Sequence, residues 1–170
     1  MEQKVTSPAA KGLVLALILI VVSLGTYFSG QTLNSGLRWL STLVFMGGII
    51  WACISFAKQM DGNITFGNAF AHGFKTTAAT TAIVVVYTFI FIKFIYPGMV
   101  DLVLDQSRQE LTAKGKLTSD QIDSAMDITR RFFSVFAVGG ALLLYLCMGA
   151  IAALIGAAVA KKNPNPEFPQ

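Results

Sequence analysis

The sequence predicts an all-α integral membrane protein with four transmembrane helices and a helical hairpin extension between helices three and four. Of the 170 residues, 54% are hydrophobic and 13% are charged, which is about half the charged fraction of a soluble domain. The apolar residues form four long runs, and a polar stretch, residues 97–131, separates the last two. Long runs almost free of charge are typical of helices that cross a bilayer.

The first two runs predict a pair of antiparallel helices. Residues 12–29 carry no charge, and residues 37–57 begin with an arginine and a tryptophan, which are common at a membrane interface. The short link between the runs, GQTLNSG, has the composition of a turn. A cleaved signal peptide is the alternative for the first run, but its apolar core is long and no small-residue cleavage site comes after it. Residues 1–11 are predicted to be a cytoplasmic tail.

The third and fourth spans are predicted at residues 74–96 and 132–160. Pro97 must end or kink the third helix, because proline has no N–H to donate. The fourth run carries small residues that let neighbouring backbones approach: Gly139, Gly140, Gly149, Ala153 and Gly156. Packing within a single four-helix domain and dimerisation through this face are both open. The proline-rich residues 161–170 are predicted to be a disordered tail.

The polar stretch 97–131 predicts two amphipathic helical arms. It holds six of the nine acidic residues in the chain. Lys114-Gly115-Lys116 breaks the first arm, and Thr118 with Gln121 has the spacing of a capping box at the start of the second. The apolar phase of the second arm continues into the fourth run, so one helix is expected from about residue 119 to residue 160. Its aspartates are interpreted as a solvated face with local ion pairs.

Residues 58–73 link the second and third runs. Gly62-Asn63 predicts a turn, and Thr65 is placed to cap a helix that begins directly after it. Phe66, Ala69, Phe70 and Gly73 then share one helical face. The pattern predicts a short interfacial helix that leads into helix three.

The segment from Gly62 to Phe74 resembles the signature G-x-I-[ST]-F-x-x-A-F-x-x-G-[FL] of a bacterial family of small four-helix membrane proteins, domain of unknown function 4199. Residues 93–97 resemble a second landmark of that family, K-[FY]-I-x-P, although Tyr96 stands where asparagine is common. The resemblance covers roughly residues 5–162. It implies fold and location and supplies no catalytic residue. The positions it marks as structural are Gly62, Thr65, Phe66, Ala69, Phe70, Gly73, Lys93 and Pro97.

Lys93 is a charge well inside a predicted hydrophobic run, whereas Arg38 and Lys75 are the second residues of theirs. Three interpretations are open. Its stem can lie along lipid while the ammonium reaches the interface, it can form an ion pair with Asp101 or Asp105, or it can serve a substrate or ion. The ion pair would fix the polar stretch to the helix that precedes it.

No arrangement of residues in the sequence predicts an active site, so we expect no enzyme activity. Cys53 and Cys147 lie in separate apolar runs and are interpreted as small apolar side chains, with a redox role as the alternative. His72 is the single histidine, and a zinc site needs three or four ligands. No metal or other cofactor is therefore predicted. The basic residues lie in tails and loops, which argues against a nucleic-acid partner.

Four spans place both termini on one side of the membrane. The lysines that flank the first and last runs favour the cytoplasm for that side, and the bacterial cytoplasmic membrane is the expected location. The polar hairpin would then lie outside. The expected function is a non-catalytic assembly, scaffolding or accessory role in which the hairpin docks a membrane-protein partner or a second copy of the chain. The alternative is a small oligomeric transporter or channel that uses Lys93.

Overall fold

A computed structural model describes residues 5–32 and 34–160, and every regular element in those ranges is helical. The elements are α1 (Pro8–Phe28), α2 (Ser35–Gln59), α3 (Phe66–Ile90), a π-helical turn (Phe91–Ile95), α4 (Met99–Lys114) and α5 (Ser119–Val159). Four helices are long and apolar enough to cross a membrane: Pro8–Phe28, Trp39–Gln59, Phe66–Ile95 and Ser119–Val159. The all-helical class with four candidate spans is confirmed. The predicted tail 161–170 and residues 1–4 lie outside the described residues.

Helix α1 begins four residues before the predicted start of the first span. Ser7 caps the helix, accepting a hydrogen bond from the backbone N–H of Ala10 at 3.2 Å, and Pro8 occupies the first turn. Proline is well suited to that position because its fixed φ fits a helix and its missing N–H would be unpaired there anyway. Lys11, assigned from the sequence to the tail, therefore lies within the helix.

The predicted short interfacial helix before helix three is instead the first two turns of α3. The helix runs without a break from Phe66 to Ile90. Ala69 and Gly73 in those turns are buried, so the face that they share packs against other helices. These residues are helical as predicted, but they are continuous with helix three and do not form a separate helix. Their position at a membrane interface stays a prediction.

The end of α3 widens into a π-helical turn before the chain reaches Pro97. The backbone N–H of Tyr96 donates to the carbonyl oxygen of Phe91 at 2.8 Å, and this i to i−5 bond is the mark of a π-helix. Pro97 comes directly after it and cannot continue the pattern. α4 then begins at Met99.

The chain divides into two compact units. We call the described residues up to Val84, together with those from Leu143 onward, the terminal unit. Its core takes side chains from α1, α2, α3 and α5: Leu15, Ala16, Leu19, Phe45, Ile49, Val84, Ala152 and Ala153. The T-shaped contact between Phe45 and Tyr145, with ring centroids 4.8 Å apart, adds to this core.

Residues 85–142 form the hairpin unit. Gly115, at φ 61°, ends α4 in the left-handed conformation. Thr118 and Gln121 then form the predicted capping box: the Thr118 N–H donates to Gln121 Oε1 at 3.0 Å, and the Gln121 N–H donates to Thr118 Oγ1 at 3.4 Å. α5 runs on for 41 residues, which confirms the expected continuity of the second arm with the fourth apolar run.

Candidate functional site

The first half of the signature builds the turn that joins α2 to α3. The Gly62 N–H donates to the carbonyl oxygen of Ala57 at 2.8 Å, which satisfies a carbonyl at the end of α2. Gly62 has φ 78°, a conformation that side chains with a Cβ rarely adopt. The buried side chain of Ile64 then packs beside Ala57, so the turn is closed by a backbone bond and an apolar contact.

The second half of the signature starts α3 and packs it. Thr65 Oγ1 accepts a hydrogen bond from the Asn68 N–H at 3.2 Å, the predicted cap. Ala69 is fully buried, and Phe70 packs against the core. Phe66, by contrast, is 44% exposed, so its side chain does not belong to the buried face that the sequence pattern assigned to it.

Gly73 lies where α3 meets α2 and α5. A Cβ at this position would collide with the sulfur of Cys53 and would come within 3.0 Å of the Cβ of Ala153. The Cys53 thiol also lies 3.9 Å from the Ala153 carbonyl oxygen. A glycine is therefore required here because the helix surfaces touch.

The glycines predicted to pack α5 fall into two groups. A Cβ at Gly149 would collide with the Thr77 side chain, and a Cβ at Gly156 would lie 2.9 Å from the Cβ of Cys53. A Cβ at Gly139 or Gly140 would meet no described atom within 4 Å. Of these four glycines of α5, only Gly149 and Gly156 lie at a close helix approach among the described residues.

The second landmark of the resemblance lies at the end of α3. Lys93 belongs to the π-helical turn and is exposed, and Pro97 is the residue after that turn's cap. Lys93 forms no ion pair with Asp101 or Asp105 among the described residues; Asp101 pairs with Arg130 instead. Of the two acids considered as partners of Lys93, Asp101 thus has a different partner, because in the first turn of α4 it faces α5 and not the end of α3.

Two cross-helix ion pairs join the arms of the hairpin unit. Asp101 of α4 pairs with Arg130 of α5, and Arg108 of α4 pairs with Asp123 of α5. The order of the partners shows that the arms are antiparallel. Between them lies an open cleft of about 240 Å³. Its lining is mostly charged: Leu104, Asp105, Arg108, Met126, Asp127 and Arg130.

A second polar cluster is buried in the terminal unit. Lys11 is 5% exposed, and its ammonium donates to the carbonyl oxygen of Ala52 at 3.2 Å. His72 is 6% exposed and stacks on Phe56, with ring centroids 4.1 Å apart. Its Nε2 has no hydrogen-bond partner in the described chain. We call Lys11, His72 and the residues around them the buried basic cluster.

Threonines of α3 continue from this cluster into the core. Thr76 Oγ1 donates to the carbonyl oxygen of His72 at 2.9 Å. Thr80 Oγ1 lies 2.9 Å from the carbonyl oxygen of Thr76 and 3.2 Å from that of Gly12 on α1. A hydroxyl that bonds back to its own helix is tolerated in an apolar environment, and the contact with Gly12 fixes α1 against α3.

Sequence reasoning missed this cluster, although two signals pointed to it. Lys11 lies three residues after Pro8, and proline often opens a helix. His72 lies three residues after Ala69, one of the positions of the predicted helical face. These spacings could have placed both basic residues inside the helices, but a lysine or a histidine near a predicted interface is ordinarily expected to be exposed.

Among the described residues, no group of three or more His, Cys, Asp or Glu side chains is placed to hold a metal ion. Cys53 is buried and Cys147 is exposed, and both are free thiols. The candidate site is therefore the buried basic cluster, with the hairpin unit as a second polar region.

The comparisons with known proteins identify a family without an assigned activity. A family model described as "Protein of unknown function (DUF4199)" matches residues 11–162. The matched region includes the signature from Gly62 to Phe74, the π-helical turn, the hairpin unit and all of α5. The comparisons with curated proteins and with solved structures give no significant match. Because the match covers most of the chain, the protein belongs to the DUF4199 family.

Proposed function

We propose that the protein is an integral membrane protein that crosses the bilayer four times. In each of the four candidate spans, only 28% of the most apolar window is buried within the protein. Large apolar side chains on the outer faces are strongly exposed, among them Val21 at 68% and Leu143 at 65%. Apolar surface of this extent needs lipid or another protein to cover it, and lipid covers helices of this length.

The proposed location is the bacterial cytoplasmic membrane, with both termini in the cytoplasm and the hairpin on the outer side. Cysteine labelling tests the orientation. In a Cys147→Ala background, Leu117→Cys at the turn of the hairpin should react in intact cells with a maleimide that cannot cross membranes, while Ser7→Cys should react only after permeabilisation. The reverse labelling pattern would invert the proposed topology.

We infer that the hairpin unit is a recognition arm and that the protein is not an enzyme. The observation that supports the recognition role is the pair of cross-helix ion pairs, Asp101 with Arg130 and Arg108 with Asp123. These contacts join the two arms of the hairpin directly. Its second arm is part of α5, whose 41 residues span about 62 Å at 1.5 Å per residue, about twice the hydrocarbon core.

The expected partner is another membrane protein or a second copy of this chain. A photo-reactive amino acid placed at Leu117 or Asp120 should give a discrete crosslinked product in cells, and one at Val21 on α1 should give none. A product of twice the protomer mass would identify a homodimer. Deletion of residues 101–129 should preserve membrane insertion and abolish the product. Equal crosslinking from Val21, or an unchanged product after the deletion, would overturn the docking role.

A small oligomeric transporter is the second candidate. Lys93 is exposed, so the support for this candidate comes from the buried basic cluster, because ionisable groups inside a membrane domain often mark a path for ions or substrates. Flux into liposomes that contain the wild-type protein, lost in Lys11→Gln, would favour transport over docking. If the flux were lost in Lys93→Ala instead, Lys93 would be the residue on which transport depends.

A further inference from the structure

The four helices of the terminal unit meet at the level of the buried basic cluster. Lys11 lies three residues from the start of α1, and His72 lies six residues from the start of α3. Ala52 and Ala153 lie seven and six residues from the ends of α2 and α5. At 1.5 Å per residue these positions are about 5 to 10 Å inside the helix ends. The cluster is thus covered by helices and lies below the loops.

Direct contacts connect the members of the cluster. The Lys11 ammonium bonds the carbonyl oxygen of Ala52, and Phe56, one turn further along α2, stacks on His72. Lys11 and His72 are therefore neighbours across the contact of α1, α2 and α3.

The cluster contains two basic groups and lacks a counter-ion from its own helices. α1, α2, α3 and residues 143–159 of α5 contain no aspartate or glutamate. Gly73, the neighbour of His72 in the chain, lies against the Cys53 sulfur of α2 and the Cβ of Ala153 of α5, and α3 itself carries the exposed Lys75. The Lys11 ammonium has three donors and one described acceptor, the Ala52 carbonyl oxygen.

A positive charge on Lys11 and a positive charge on His72 would destabilise each other. Like charges repel strongly where the local dielectric constant is low, and each unpaired buried charge also loses its hydration. Nε2 of His72 is buried and unpartnered, so it is a nitrogen that can take or release a proton without breaking a described hydrogen bond. Protonation of one side chain therefore disfavours protonation of the other.

We propose that Lys11 and His72 form a buried proton-binding site, in which the two basic side chains share a single positive charge. The ligand is a proton, and the lone Nε2 atom with the neighbouring ammonium forms the site. This inference concerns the terminal unit and does not depend on the recognition role of the hairpin.

Nuclear magnetic resonance can read this site directly because the chain has one histidine. The full chain, labelled with ¹⁵N-histidine and purified without a histidine tag, is placed in lipid nanodiscs, and the imidazole ¹⁵N shifts are followed with pH. Lys11→Gln removes the neighbouring charge and keeps a donor for Ala52. It should raise the proton affinity of His72 by at least about tenfold.

Lys75→Gln is the matched control, since it removes an exposed lysine charge from the same helix as His72. Solvent and salt screen that charge, so the proton affinity should change less than about threefold. Lys11→Met is a second test in case Lys11→Gln does not insert, because an unbranched apolar side chain suits the buried position. Equal proton affinities in the wild type and the Lys11 variants, or an imidazole that titrates in none of them, would overturn the proposal.

Discussion

The two polar regions of this chain provide partners for their polar side chains in opposite ways. In the terminal unit, polar side chains are buried and bond to helix carbonyl oxygens, as Lys11 does to Ala52 and Thr80 to Thr76. In the hairpin unit, polar side chains are exposed and pair with opposite charges, as Asp101 does with Arg130. The surroundings explain the difference. Charge pairs on a surface contribute little because water competes for them, whereas most buried polar groups find a partner within the protein. His72 Nε2 and Thr81 Oγ1 are the exceptions among the described residues.

The two regions also differ in how closely helices approach. In the terminal unit, glycines at α3 and α5 leave no room for a Cβ, as at Gly73 and Gly149. In the hairpin unit, Gly139 and Gly140 of the same α5 have open space around them. A run of small residues therefore does not define a packing face by itself. What decides the role of each glycine is the neighbour opposite it.

The largest expected effect comes from replacing glycine by alanine at two positions of α5, one in each unit. Gly149→Ala places a Cβ against the Thr77 side chain, and Thr77 is held by its bond to the Gly73 carbonyl oxygen at 3.1 Å. We expect a loss of about 2 to 3 kcal/mol in the free energy of unfolding. The measurement is reversible unfolding in mixed micelles with increasing denaturing detergent.

Gly140→Ala is the matched control for that experiment. Its Cβ meets no described atom within 4 Å, and alanine is the better helix former, so we expect a gain of about 0.5 to 1 kcal/mol. If both variants were destabilised equally, the close contact of Gly149 with Thr77 would not explain the loss, and the contrast between the units would fail.

The second prediction concerns the turn between α2 and α3. Gly62→Ala forces a side chain into φ 78°, and we expect a loss of about 1 kcal/mol in the free energy of unfolding. Gly67→Ala, five residues further on in the first turn of α3, is the control. Its Cβ would have only Thr65 Oγ1 nearby, at 3.8 Å, so it should be neutral or stabilising. The same micelle assay compares the two. A harmless Gly62→Ala would show that the turn does not depend on the left-handed glycine.

Much of this architecture could be predicted from the sequence because its signals are local. The capping box of Thr118 and Gln121, the turn at Gly62 and the continuity of the second arm with α5 all depend on residues within a few positions of one another. Hydrophobic periodicity and capping report such features directly.

The features that were missed depend on contacts between distant parts of the chain. Lys11 was assigned to a tail, and only the position of Ala52, 41 residues away, makes it a buried donor. Asp101 was considered only as a partner of Lys93, because Arg130 lies 29 residues away and reaches it only once the hairpin has closed. Spacing along the chain gives the face of a helix, but it does not tell which helix lies opposite.

The smallest expected effect tests the charge pairs of the hairpin unit. The side chains of Asp101 and Arg130 are 61% and 64% exposed, so their coupling should be about 0.5 kcal/mol at low salt and should fall as salt is added. A double-mutant cycle with Asp101→Asn and Arg130→Gln measures this coupling from the unfolding of the hairpin unit, followed by hydrogen exchange of the amides of α4. Thr112→Val, which removes a bond to the Arg108 carbonyl oxygen and no charge, should show no such dependence on salt. A coupling above about 2 kcal/mol that does not fall with added salt would mean that the pair is shielded from water, as by a bound partner. The hairpin unit would then resemble the terminal unit in how it satisfies its polar groups.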